Sequence, residues 1–90
     1  MRTVWKLTLD YVDGDQSFDV PKDAVFLHAH DQHGKPCVWF LCDPKAEREA
    51  ISLFVCGTGH PTVPERGRYV GTVHTRGGTL VFHIFLVTNA

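Results

Sequence analysis

The sequence predicts an all-β fold, either a small antiparallel β-sandwich or a partly open barrel of about seven strands. Apolar and polar residues alternate with a period of two through most of the chain, which is typical of half-buried strands. Clusters of Gly, Pro and Asp separate these stretches at short spacing, as in small sandwiches and barrels. Only residues 45–49 have a helix-prone composition, and so short a segment forms no stable helix alone. Because the chain of 90 residues contains no repeat or linker, we expect one β domain over residues 1–90.

The first three predicted strands alternate clearly between a core face and a solvent face. Residues 3–11 form strand one, and its predicted core face carries Trp5, Leu7, Leu9 and Tyr11. Asp13-Gly14-Asp15 predicts a hairpin turn into strand two at residues 16–20, because Asp-Gly tolerates the positive φ of tight turns. Strand two is expected to turn Phe18 and Val20 inward. Strand three covers residues 24–32, and its predicted core face carries Val25, Leu27 and Ala29.

The later strands include two that are apolar on both faces. Residues 37–42 predict a strand in the middle of a sheet, since both of its faces need cover. Strand five follows at residues 50–56, and strands six (68–75) and seven (79–87) form a hairpin in which residues whose numbers sum to about 155 pair. Strand seven is also doubly apolar, so Trp39, Phe85 and Val87 are candidates for a partner surface. A homo-oligomer would cover such surfaces, although a closed sandwich could also bury them.

Charge and hydropathy exclude several classes of protein. Nine Lys and Arg balance ten Asp and Glu, and the basic residues are scattered, so we expect no nucleic-acid partner. No apolar run approaches the ~20 residues that span a bilayer, so we expect no membrane partner and an intracellular protein. The formal net charge of −1 counts six histidines as neutral, and their protonation would raise it to +5 (−1 plus 6).

The three cysteines predict structural thiols and no nucleophile. Cys37, Cys42 and Cys56 form an odd set without CxxC spacing inside apolar segments, so we expect reduced core thiols. None lies in a nucleophile elbow or beside a histidine in sequence. The aspartates fall mainly near strand ends and turns, which disfavours paired catalytic carboxylates, and an enzyme is not the favoured class.

The loop Gly57-Thr58-Gly59-His60-Pro61 is the main candidate binding site. Two glycines allow the backbone to approach a ligand and to offer its N–H groups to an anion, while Thr58 and His60 add a hydroxyl and an imidazole. The predicted ligand-binding residues are Gly57, Thr58, Gly59, His60, Arg76 and Trp39. No helix follows, so the loop is not a P-loop. The alternative is a tight turn that ends strand five.

The histidines suggest a metal site and, separately, one imidazole that a hydrogen bond fixes in place. His28 and His30 share one strand face and His33 follows in the turn, which resembles the His-x-His ligand pair of the cupins. The alternative is that His28 and His30 face solvent. His83 lies on an apolar face of strand seven, and we expect a hydrogen bond to hold it in a second layer or an interface.

Several motifs together resemble a known family. In order they are Trp5, Trp39 before Asp43-Pro44, the 57–61 loop, Tyr69-Val70-Gly71-Thr72 and the closing segment at residues 80–85. They resemble a family of small uncharacterised domains of unknown function, encoded mainly by bacteriophages and prophages of actinobacteria. The resemblance implies a phage or prophage origin and the cytoplasm of a host cell, and it transfers no catalytic residue. The His28 and His30 pair is not a feature of that family.

The favoured function is therefore a non-catalytic, phage-type accessory binding protein that acts as a homo-oligomer. It would bind a host protein or sequester a small anionic, nucleotide-like ligand. One alternative is a cupin-like metal-binding protein or small enzyme that uses His28, His30, His33 and His60. Another alternative is a structural component of the virion. The sequence identifies no cofactor.

Overall fold

The computed structural model describes residues 1–61, 67–75 and 77–87 and confirms the predicted all-β fold. Within these ranges there is no helix, and so none that could cross a membrane. Two antiparallel sheets pack together without closing into a barrel. The strands are β1 (Thr3–Thr8), β2 (Gly14–Pro21), β3 (Val25–Gln32), β4 (Lys35–Cys42), β5 (Arg48–Gly57), β6 (Arg68–His74) and β7 (Val81–Val87).

The sheets differ in size and bury the doubly apolar strands at their centres. The three-stranded sheet has the order β1-β4-β3, and the four-stranded sheet has the order β2-β5-β7-β6. The predicted central position of β4 is confirmed, and β7 is also an interior strand. Residues 43–46 form a turn, closed by the Ala46 N–H donating to the Asp43 carbonyl, and β5 already begins at Arg48, inside the helix-prone segment 45–49.

The predicted hairpin between the first two strands is wrong. β1 pairs with β4 and β2 pairs with β5, so the chain crosses from one sheet to the other between residues 8 and 14. Gly14 has the positive φ of 121° that its place after Asp13 suggested. The Asp13 side chain is nevertheless bonded to the end of β5, which fixes this segment against the four-stranded sheet.

Two other hairpins form, at the turn after β3 and at the predicted turn between β6 and β7. β3 and β4 join through His33 and Gly34, with φ values of 56° and 82°, as two-residue hairpin turns require. In the β6–β7 hairpin, His74 pairs with Val81 and Thr72 pairs with His83, which confirms the predicted sum of 155. A bulge between Tyr69 and Gly71 shifts the register by one beyond that point.

The core lies between the two sheets and takes side chains from both. The inward faces of β1 and β2 are as predicted, and Leu9 and Val20 are each only 1% exposed. The three cysteines are free and buried, which confirms the predicted reduced thiols. The buried cluster consists of Leu9, Val20, Ala29, Val38, Phe40, Cys42, Ile51, Leu53, Val55, Val73, Phe82 and Ile84.

The core face predicted for β3 is wrong at two of its three positions. Ala29 is buried, but Val25 and Leu27 are 48% and 52% exposed, while Phe26 packs against the core. The cause is a bulge: Phe26 pairs with Phe40 and His28 pairs with the neighbouring residue of β4, which leaves Leu27 without a cross-strand partner. One extra residue reverses the alternation on either side of it.

The two sheets approach most closely where edge strand β3 meets edge strand β6. A Cβ atom built on Gly71 would lie 2.7 Å from the Cβ of Ala29. Real Cβ atoms do not come this close, so position 71 has no room for a side chain. The contact fixes β6, and with it Thr72, against the other sheet.

Candidate functional site

The loop after β5 is a tight turn with a defined hydrogen bond. The His60 N–H donates to the Gly57 carbonyl at 3.0 Å, and Gly59, in the third position of the turn, has a φ of 85°. A positive φ at this position is typical of a type II turn and favours glycine. The alternative prediction for this motif, a tight turn that ends strand five, therefore describes the backbone of the loop correctly.

Asp13 anchors one side of the loop, and the sequence analysis did not identify it. Its Oδ1 accepts the Gly57 N–H at 2.9 Å, and its Oδ2 lies 2.6 Å from His60 Nδ1. The His60 ring packs so closely over Gly57 that a Cβ there would lie 2.7 Å from Nδ1. Glycine at position 57 is therefore needed for this ring position. The Asp13 and His60 side chains are each about half exposed, so both remain accessible from solvent.

His83 anchors the other side of the loop, as part of a chain of hydroxyl groups. Its Nε2 lies 2.7 Å from the Thr58 hydroxyl, and its Nδ1 lies 3.1 Å from the Thr72 hydroxyl. The Tyr69 hydroxyl continues the chain, 2.7 Å from that of Thr72. The expected hydrogen bond to His83 is confirmed, and two such bonds fix the orientation of its ring.

The loop uses most of its backbone N–H groups internally. Gly57 donates to Asp13, His60 donates to Gly57, and the Thr58 N–H donates to the Val81 carbonyl at 3.1 Å. This differs from the expectation that the loop would offer its N–H groups to an anion. The Asp13 carboxylate, which carries its own negative charge, occupies the place where an anion would bind the Gly57 N–H.

Two adjoining cavities lie beside the loop, and Gly57, Thr58 and His60 line both. The larger has a volume of about 330 Å³ and extends to the β6–β7 turn, where Leu80 and Phe82 are part of its wall. The smaller has a volume of about 190 Å³ and lies on the outer face of the four-stranded sheet. Its remaining walls are Cys56, Gly59, His83 and Phe85. Aliphatic and aromatic walls with a few polar groups are typical of small-molecule sites.

Cys56 lies at the wall of the smaller cavity, opposite His83 on the neighbouring strand. Burial raises the pKa of the Cys56 thiol, and the nearby Asp13 carboxylate raises it further. A raised pKa keeps the thiol protonated at neutral pH, whereas a nucleophilic cysteine needs the thiolate. Cys56 therefore lines the cavity with a thiol of low reactivity.

The structure separates the remaining predicted site residues from the loop. Trp39 lies on β4 in the other sheet, and its ring centroid is 6.2 Å from that of His28. Among the described residues that line the two cavities, Trp39 does not occur. Arg76 lies outside the described residues. The predicted ligand set is thus brought together only at residues 57–60.

The predicted three-histidine metal site does not assemble. His28 and His30 share an exposed face of β3, with ring centroids 6.0 Å apart, and His33 lies in the following turn. Across the described part of the chain, no three His, Cys, Asp or Glu side chains form a group that could hold a metal ion. The positive φ of His33 places it in the hairpin turn, beyond the strand face that carries the other two imidazoles.

Comparison of the sequence with known protein families gives a match over the chain. Residues 1–90 match the family described as Domain of unknown function (DUF7352). The chain belongs to this family. No curated protein and no solved structure matches the chain. The resemblance to a family of uncharacterised domains is thereby confirmed.

Proposed function

We propose that this domain is a non-catalytic, phage-type accessory binding protein whose ligand occupies the two cavities beside the 57–60 loop. The observation that carries the proposal is the anchoring of the loop from both sides, by Asp13 and by His83, between two adjoining cavities. A site fixed before binding loses less conformational entropy when its ligand arrives. A turn that only ends a strand does not need the side-chain hydrogen bonds that Asp13 and His83 make to this loop.

The lining favours a small ligand with a flat apolar part and a polar edge. A volume of about 330 Å³ is near the lower end of the range for small-molecule sites, ~300 to 1,000 Å³. Phe82 and Leu80 offer apolar contact, while Thr58 and His60 offer hydrogen bonds. A nucleobase has this combination of a ring and a polar edge, which supports a nucleotide-like ligand recognised chiefly through its ring. The charge partner proposed for its anionic group is Arg76.

The chemistry of the loop supports binding over catalysis. Both carboxylate oxygens of Asp13 are engaged, one by Gly57 and one by His60. Both ring nitrogens of His83 are engaged by hydroxyl groups. Together with the protonated Cys56 thiol, the Asp13 and His83 side chains therefore act as supports and walls of the site.

Self-association or a host protein is a second candidate, supported by the outer face of the four-stranded sheet. Phe54 pairs with Phe85 and Phe85 pairs with Tyr69, so three aromatic residues form a row across it. Tyr69 is 58% exposed, and its ring contacts that of Phe85 at 5.7 Å. Aromatic side chains are enriched in protein interfaces. Sedimentation of the protein at several concentrations tests the homo-oligomer, and a strict monomer would contradict it.

The ligand proposal is tested by NMR titration with three probes: adenosine monophosphate, adenosine and inorganic phosphate. If the ring is recognised, both adenosine compounds shift the backbone amide signals of Thr58, His60 and Val81. Phosphate alone leaves these signals in place. Shifts with phosphate alone, or shifts confined to other regions with all probes, would contradict a ring-binding site at the loop.

A matched pair of variants completes the test. Leu80 lines the larger cavity and is 59% exposed, while Leu27 is 52% exposed on the other sheet. Because both side chains are exposed to a similar extent, L80S and L27S should affect folding similarly. We expect only L80S to weaken adenosine binding, by about tenfold, which corresponds to ~1.4 kcal/mol. Equal affinities in the two variants would remove Leu80 from the site.

A further inference from the structure

The exposed pair His28 and His30 is not explained by the proposed ligand site. Both imidazoles project from the outer face of β3, with ring centroids 6.0 Å apart and ring planes inclined by only 20°. The Trp39 ring lies beside them, 6.2 Å from His28. A tetrahedral zinc site needs four ligands, and two exposed imidazoles on one strand face amount to two of them.

Their spacing suits joint coordination of one ion. With zinc–nitrogen bonds of ~2.0 to 2.1 Å and tetrahedral angles, two imidazoles on the same ion have ring centres about 5 Å apart. The observed 6.0 Å exceeds this by about 1 Å. Rotation about χ1 and χ2 of the two exposed side chains must both close this gap and turn the nearly parallel rings until one nitrogen of each faces the same ion.

The described residues of one chain do not complete the coordination. In the described ranges no third His, Cys, Asp or Glu joins His28 and His30. Closed structural zinc sites hold four protein ligands. We propose that two copies of this chain share one Zn²⁺, each contributing His28 and His30, so that four imidazoles surround an ion on the two-fold axis of a dimer.

The surroundings of the pair are compatible with a second copy. Val25 and Leu27, which the β3 bulge exposes, lie on the same strand and would lose solvent contact in such a dimer. One group opposes the ion: the Lys6 ammonium lies on the same outer face, where it donates to Gln32 Oε1 at 2.6 Å. Its positive charge weakens cation binding, so K6Q should increase zinc affinity.

The test measures molar mass by light scattering, together with bound zinc, for the full chain with ZnCl₂ and with EDTA. We expect zinc to double the mass at half an equivalent of metal per chain, and EDTA to reverse the change. H28Q and H30Q should each raise the zinc concentration needed for dimerisation by more than tenfold. Glutamine keeps these exposed positions polar, so the fold is not at risk.

Two other exposed histidines provide matched controls. H74Q alters β6 in the other sheet, and H33Q alters the turn after the pair, so both should dimerise like the original chain. Zinc bound at one equivalent per monomer without a change in mass would overturn the proposal. Dimerisation that persists in H28Q and H30Q, or the absence of any zinc binding, would overturn it as well. None of these outcomes depends on adenosine binding, so the two proposals fail separately.

Discussion

Gly71→Ala tests how closely the two sheets approach each other. The new methyl group would lie 2.7 Å from the Cβ of Ala29, well inside the ~3.5 to 4.0 Å separation of carbon atoms in contact. Ala29 is 6% exposed and also lies 3.5 Å from the added atom through its backbone N, so neither strand has a side-chain end that can simply swing away.

The expected loss in the free energy of unfolding follows from two opposing effects. Overpacking of this kind costs ~1 to 3 kcal/mol. Replacing Gly by Ala recovers ~0.4 to 1 kcal/mol through the unfolded chain, because Gly71 does not need a positive φ. The difference spans ~0 to 2.6 kcal/mol, and we expect a value in its middle, a net loss of about 1 to 2 kcal/mol. This corresponds to a fall in Tm of about 4 to 16 °C at ~4 to 8 °C per kcal/mol. Urea denaturation followed by fluorescence measures the difference.

The matched control moves the methyl group from one side of the contact to the other. Ala29→Gly alone should cost about 1 to 2 kcal/mol, since it removes a buried methyl group and adds a glycine to a strand. In the double variant A29G/G71A the clash is absent, so its loss should be smaller than the sum of the two single losses by about 1 to 2 kcal/mol. Additivity within ~0.5 kcal/mol would refute the close contact.

Three further predictions concern individual side chains. Thr58→Val keeps the shape of the side chain but removes the hydroxyl bonded to His83, so the unfolding free energy should fall by ~1 kcal/mol in urea denaturation; an unchanged value would contradict the bond. Asp13→Asn removes a charge that raises the pKa of Cys56, so peptide-resolved alkylation of this thiol at pH 8 should become faster, and an equal rate would contradict the coupling. Burial raises the pKa of Tyr11 in the folded protein, so the contribution of Tyr11 to stability should be constant below the unfolded pKa of ~10 and be lost above it; denaturation measured from pH 8 to 11 should show a shallower decline above pH ~10 in Y11F, and an equal slope would contradict the shift.

The local pattern was sufficient to predict the strands and most of the core. Two-residue alternation placed Leu9 and Val20 inward, and apolar residues on both faces placed β4 at the centre of a sheet. The position of the glycines in the β6–β7 turn predicted the pairing of Thr72 with His83. Each of these features depends on neighbours in sequence, which single-sequence patterns report.

Features that depend on distant contacts were missed. Leu27 fits the alternation of β3, and only pairing with β4 reveals the bulge that exposes it. Asp13 was interpreted as a turn residue, because its partners are distant in sequence: Gly57, 44 residues further along, ends β5, and His60 lies in the loop that follows. The crossing from β1 to β2 was missed for the same reason, since Asp-Gly is equally compatible with a hairpin and with a connection between sheets.

The most direct test of the proposed binding site is an isotope-filtered NOE spectrum of the protein with adenosine. With adenine in the larger cavity, we expect NOEs from its ring protons to the methyl groups of Thr58, Leu80 and Val81, which line that cavity. NOEs only to residues of the three-stranded sheet, or bound adenosine with no NOE to these three methyl-bearing side chains, would contradict it.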